Sequence, residues 1–300
     1  MTGDSGKVQR LKTALRDLVG DGDTVFFGGF GHAIPFAAGH ELIRQERKDL
    51  TLCRSGADIL FDQLIAAGCV SKVIVGWIGN PGIGLAHSFR RALASNEVEI
   101  EEWTNFSLVL RLHAAALGVP FLPTRVLRPG DAAEAAGRVE RIEDPFTGES
   151  LAAVPALTPD VAIVHAQRAD SAGNVQMWGV IGDSVEGALA SRRVIATVEE
   201  IVDRDTVKRD PNRTVLPGYR VDAVCHVPWG AHPSYVQDHY RRDDAFYEDY
   251  DRLSRTADGV AEFLAERVLG VPDRGGYLTS LSLDDLDTGP VFPPGRSAGS

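Results

Sequence analysis

No apolar run in this 300-residue chain approaches the eighteen or so residues that a membrane span needs, and Met1–Val19 is charged and helical in pattern, unlike a secretion signal. The expectation is a cytoplasmic protein with no membrane partner. Cysteine is scarce. Cys53, Cys69 and Cys225 are odd in number, widely spaced and free of any CxxC pair, which excludes a disulfide framework and a thiolate zinc site. Cys53 and Cys69 read as small core residues. Positive charge is also in deficit: 31 Lys and Arg stand against 42 Asp and Glu, a formal charge of -11, so no nucleic-acid surface is expected. Any acidic ligand must be met by local cations. No solenoid repeat is visible. With 44% hydrophobic residues, the chain can bury the core of one large α/β domain or of two small ones.

What is present is an alternation of short apolar runs and amphipathic segments, the pattern of an open, mostly parallel sheet covered by helices. Asp21–Pro35, DGDTVFFGGFGHAIP, is the clearest instance. Thr24–Phe27 shows no polar alternation, as expected of a strand buried on both faces. Gly28, Gly29 and Gly31 then allow positive φ and close approach to bare backbone. Pro35 suits the first turn of a helix over Phe36–Arg47, whose free N–H groups would face a ligand at the turn. Neither GxGxxG nor Gly-Lys-Ser/Thr is completed, because Ile34 stands where a third glycine would be, so a dinucleotide and a P-loop are both excluded. A turn that needs glycine only for packing is the alternative.

Further strands are expected at Leu50–Cys53, Lys72–Ile78, Val98–Trp103, Val119–Pro123, Val161–Ala166, Val175–Trp178, Arg193–Val198 and Val221–Val227. Helices are expected at Ile59–Ala67, Leu85–Ala94, Phe106–Leu117 and through Asp243–Val268. Around Pro145-Phe146-Thr147-Gly148 two alternating runs predict a hairpin excursion over residues 138–155. The reading is one domain over residues 1–280, followed by a flexible tail over 281–300.

In this order the motifs resemble those of family I CoA-transferase α subunits. Asp21–Phe30 matches the family's D-G-x-x-(three apolar)-G-G-F signature. His113–Pro123 (HAAALGVPFLP), Asp160–Gly179, Val198–Ile201 (VEEI), Pro217–Val224 (PGYRVDAV) and Trp229–Ser234 (WGAHPS) are similar to the glutaconate-type α subunit in particular. After GGF the family has Gly-x-Pro, whereas this chain has Ala33-Ile34-Pro35 in a loop one residue shorter. The resemblance implies an open αβα sandwich, a coenzyme A thioester as substrate, no permanently bound cofactor and no metal. It also implies an obligate β-subunit partner that carries the nucleophilic glutamate in a Ser-Glu-Asn-Gly-like motif, which this sequence lacks. The implied activity is transfer of CoA between an acyl-CoA and a short, branched or dicarboxylic acid. A hydrolase or decarboxylase on the same fold is the alternative enzyme reading, and a non-catalytic binding subunit the alternative of another class.

By the same resemblance, Asn105 stands where many family members have Gln, an amide able to face the thioester oxygen; an ordinary helix N-cap is the other reading. A related ring-opening hydrolase of steroid breakdown places an acid near this position. Glu101 and Glu102 are adjacent, but strand alternation sends them to opposite faces, and a strand end with a salt bridge is their simpler role. Substrate-binding candidates are Gly28, Gly29, Phe30 and Gly31 on the first turn, Arg54, Ser55 and Gly56 after the second strand, and Gly79 and Asn80 after the third. All lie at carboxyl ends of strands, where open α/β sheets bind ligands. Arg54 has the donors for a bidentate contact with a distal carboxylate, or it caps the next helix or sits in solvent. His113 and His165 read as core histidines without metal-ligand spacing. Tyr235–Tyr250 reads equally as a solvated face or a partner surface.

Overall fold

The computed structural model describes residues 6–127 and 138–281. Its main sheet has nine strands. The parallel run follows the order β12 (Ala223–His226), β10 (Arg193–Val202), β8 (Val161–Asp170), β1 (Thr24–Phe27), β2 (Leu50–Ala57), β3 (Val70–Ile78), β4 (Glu99–Glu102). Two short antiparallel strands, β9 (Val175–Gln176) and β11 (Thr214–Leu216), extend it beside the far end of β8.

Alternate residues of β1 divide the core. Val25 and Phe27 join an apolar cluster with α1 (Leu11–Leu18), α2 (Phe36–Arg44), α3 (Ile59–Ala66) and α4 (His87–Ala94). Phe26 joins a second cluster on the opposite face, with α5 (Asn105–Leu117) and α6 (Ser184–Ala190). A strand without polar alternation therefore sits between two helical layers, and the expected open αβα sandwich with a mostly parallel sheet is what forms.

A small antiparallel sheet lies against α5. It consists of β5 (Phe121–Thr124), β6 (Glu140–Glu143) and β7 (Ser150–Pro155), the last two joined through the turn at Asp144. Beyond α7 (Arg204–Arg209), the helix-rich end is broken in two, because Thr256 caps a second helix. α8 (Asp244–Ser254) stops there, and α9 (Ala257–Leu264) passes into a π-helical turn over Ala265–Leu269. A short α10 (Arg274–Thr279) closes the described chain. The tail expected over 281–300 lies, from residue 282 on, outside the described residues.

Several boundaries differ from expectation. β2 runs four residues past Cys53, because Arg54, Gly56 and Ala57 continue the ladder against Val75, Trp77 and Ile78 of β3. Arg54, Ser55 and Gly56 are thus inside the strand, not after it. α2 ends at Arg44, before a left-handed Glu46. Tyr235–Tyr250 is neither wholly solvated nor wholly a surface, since Tyr240, Tyr247 and Tyr250 are buried.

Candidate active site

The turn after β1 is built by unusual backbone. Gly29 has φ +92°, and a Cβ there would stand 2.6 Å from the His32 carbonyl oxygen, so only glycine fits. The Gly29 N–H donates to Ser184 Oγ at 2.8 Å, and the Gly28 N–H donates to Ile163 at 2.9 Å, prolonging the ladder. Further along, Ala33 and Ala37 donate to the carbonyls of Tyr235 and Gly230. The N–H groups expected to greet a ligand at the start of α2 are therefore used within the protein. His32 beneath the turn bonds through Nδ1 to the Val180 carbonyl and accepts the Gln237 N–H at Nε2. Burial pushes its imidazole down to about 4, against the opposing pull of the Val180 bond.

Phe30 projects from this turn, 42% exposed, and its ring lies on Gly56: a Cβ at Gly56 would be 2.6 Å from the ring edge. Beside that contact is a cavity of about 370 Å³. It gathers five of the expected residues, Phe30, Gly31, Arg54, Gly56 and Asn105. Asp58, Trp77, Pro81 and Gly82 complete its wall. A larger cavity, about 560 Å³, is lined by Arg10, Arg44 and Arg274 among others and shares no residue with it.

Arg54 is fully buried. Its Nη1 is 3.8 Å from Asp58 Oδ2, and none of its three nitrogens makes a hydrogen bond. The helix-capping and solvent readings of Arg54 both give way. The cap of α3 is Asp58, whose Oδ1 accepts the Leu60 N–H at 3.0 Å. Burial raises the Asp58 carboxyl above its ordinary value even with the Arg54 charge beside it. Asp58 was not singled out in the sequence, although Asp followed by an apolar helical run is an N-cap signal and the spacing from Arg54 is four residues.

Asn105 is the first residue of α5, not its cap. Thr104 caps the helix in a reciprocal arrangement with Ser107. The Asn105 amide is left free of capping, exposed at the cavity edge, and lies over Gly76 of β3, where a Cβ would meet Asn105 Oδ1 at 2.3 Å. Gly76 is a second residue that the sequence did not reveal, since nothing local says that a helix start will rest on it.

The other candidates lie beside the cavity. The Ser55 N–H donates to Asp183 Oδ2 at 2.9 Å, and the Gly79 N–H to Ala57 at 3.2 Å. Asn80 is buried in the following turn, where its N–H bonds to Gly84 and its Nδ2 to Tyr247. Glu101 and Glu102 do split between faces. Glu102 is exposed, while Glu101 is held by Trp103 Nε1 at 2.9 Å, Lys72 at 3.0 Å and Arg111 at 2.6 Å. Burial alone would push Glu101 up, yet these partners hold it at about 2. His165 is buried and bonded to Thr197 and Glu199, whereas His113 is exposed on α5 and not a core histidine. Among the described residues no cluster of His, Cys, Asp or Glu is placed to hold a metal, and no helix is long and apolar enough to cross a membrane.

Comparison with known proteins agrees with this architecture. The coenzyme A transferase family profile matches residues 8–226. The chain is 44% identical, over 88% of its length and 94% of the relative's, to the A-type subunit of 3-oxoadipate CoA-transferase from Pseudomonas knackmussii. It is 34% identical to the A-type subunit of glutaconate CoA-transferase from Acidaminococcus fermentans, covering 96% of this chain and 95% of that one. The crystal structure of glutaconate coenzyme A-transferase from the same organism superposes with a TM-score of 0.89, at 34% identity and with 96% of each chain covered. On the profile, the relatives and the shared fold, the chain belongs to the coenzyme A transferase family.

Proposed function

We propose that this chain is the α subunit of a heteromeric CoA-transferase, working in the cytoplasm with an obligate β subunit. It moves CoA between an acyl-CoA and a short, branched or dicarboxylic acid. The observation that carries this reading is the makeup of the cavity wall. Among the described residues it offers an amide, a guanidinium and apolar rings, but the carboxylate in its wall, Asp58, is buried beside Arg54 with Oδ1 capping α3. A transferase needs a free carboxylate nucleophile, so in this reading a glutamate comes from the partner.

The steps follow from that division of labour. The partner's glutamate attacks the thioester carbonyl, the C–S bond breaks and CoA leaves as thiolate, giving a mixed anhydride. The thiolate then attacks the glutamyl carbonyl, giving a glutamyl-CoA thioester and releasing the first acid as carboxylate. An incoming acid reverses the sequence. Asn105 donates its amide N–H to the oxygen that gains charge when the thioester carbonyl is attacked, and Phe30 and Trp77 keep water from the anhydride.

The test is co-expression with the β subunit, incubation of the complex with an acyl-CoA, and intact mass of both chains. A CoA adduct on a partner glutamate, discharged by added acid, supports the transferase. Loss of thioester to water, or of CO₂, without an adduct replaces it with the hydrolase or decarboxylase reading. Unchanged turnover of Asn105→Ala in an assembled complex would favour a non-catalytic subunit.

A further inference from the structure

Arg54 stands out as a buried charge left without hydrogen bonds. Its side chain is fully buried, yet Nε, Nη1 and Nη2 all lack a hydrogen-bond partner. A guanidinium carries five N–H donors in a fixed fork, and leaving them unmet away from water is costly. Asp58 does not satisfy it, because its nearer oxygen is 3.8 Å away and its other oxygen caps α3. The fork is matched by a planar anion with two oxygens, which is the geometry of a carboxylate. Arg54 also helps to form the cavity whose other walls are the Phe30 and Trp77 rings and whose edge holds Asn105. That arrangement suits a chain that is charged at its buried end, apolar along its length and reactive at the mouth.

We propose that Arg54 is a specificity-determining residue that receives a second, distal carboxylate of the substrate acid, so that dicarboxylic acids are selected over monocarboxylic acids of equal length. The inference rests on the transferase reading for which end of the acid reacts, while binding of the free acid does not require CoA transfer. The apolar rings hold the intervening methylenes, and Arg54 anchors the far end. The Arg54 charge is then met by the ligand, which balances in the complex what the free protein leaves unmet.

The experiment uses the assembled complex and two matched pairs of probes, glutarate with valerate and adipate with hexanoate. Binding is measured by calorimetry and CoA transfer by steady-state kinetics. The expected result is at least one pair in which the dicarboxylate binds about 30-fold or more tightly than its partner, with Arg54→Met collapsing that ratio to within about two-fold and Arg54→Lys keeping part of it. Arg54→Met alone leaves the buried Asp58 without the charge 3.8 Å away and should lower the melting temperature, whereas Arg54→Met with Asp58→Asn removes both charges and should melt near the wild type. A purely structural arginine would instead weaken both acids alike and leave the dicarboxylate-to-monocarboxylate ratio unchanged. If Arg54→Met does not fold because Asp58 loses its neighbour, Arg54→Met with Asp58→Asn keeps a side-chain oxygen for the α3 cap and reads the same ratio. No preference in the wild type, or a ratio unchanged by these variants, overturns the proposal. If the wild type binds dicarboxylates selectively but transfers no CoA, the transferase reading fails and the role of Arg54 stands.

Discussion

Asn105 and Thr104 are neighbours with separable jobs. Thr104 and Ser107 satisfy the start of α5 reciprocally, so Asn105 owes nothing to the cap. Asn105→Ala should therefore lower turnover about 100- to 1,000-fold in the assembled complex, the loss expected for a removed oxyanion donor, and change stability by less than ~0.5 kcal/mol. Thr104→Ala should cost ~1 kcal/mol in urea unfolding. His32 supplies a pH dependence. The neutral ring is the form that the fold accepts, with Nε2 taking the Gln237 N–H. An unfolded histidine protonates near 6.5 and His32 only near about 4, so its share of stability is intact above 6.5 and is lost as pH falls through that window. The full loss is on the order of 3 kcal/mol. The difference in urea midpoint between wild type and His32→Gln should shrink as pH falls from 6.5 to 4.

Between elements, the contact of α5 with β3 sets where Asn105 stands. At Gly76 a Cβ would be 2.3 Å from Asn105 Oδ1 and 2.7 Å from the Asn105 backbone nitrogen, and backbone has no rotamer to escape into. Gly76→Ala should push the start of α5 off the sheet, costing ~1–3 kcal/mol of stability and at least about ten-fold in turnover, although the residue does not line the cavity. A stability loss without any loss of turnover would show that the position of α5 does not matter to the chemistry. The same scale explains the length of β2. Cys53 looked like its end because Arg54, Ser55 and Gly56 are polar or small, but cross-strand pairing with β3 carried the strand on and drew Arg54 inside.

For the whole molecule, the mouth of the cavity is apolar. Phe30, Trp77 and Phe106 are 42%, 44% and 52% exposed, and Phe106 follows Asn105 directly. In the proposed transferase, whose nucleophile comes from the β subunit, these exposed aromatics are surface for that partner to cover. Phe106→Asp should weaken binding of the β subunit by about ten-fold or more in sedimentation, while the isolated chain melts as before. Adding the partner should raise the melting temperature in a concentration-dependent way. Either result failing would place the interface elsewhere.

The layered architecture was legible because buried strands such as Thr24–Phe27 announce themselves by what they lack, polar alternation, and because Gly and Pro punctuate their ends. The ordered motifs from Asp21 to Ser234 were legible too, being local in sequence. Long-range geometry was not. No neighbouring residue says that Gly56 lies under Phe30, that Gly76 bears the start of α5, or that Asp183 takes the Ser55 N–H. His113 misled for the same reason, since an apolar helix does not reveal which of its faces the sheet covers. The sequence by itself determined the fold class and the absence of a glutamate motif, since composition and period are carried residue by residue. Only the tertiary structure decided which strand ends share a cavity and which donors are already used, because both depend on pairings between residues far apart in the chain.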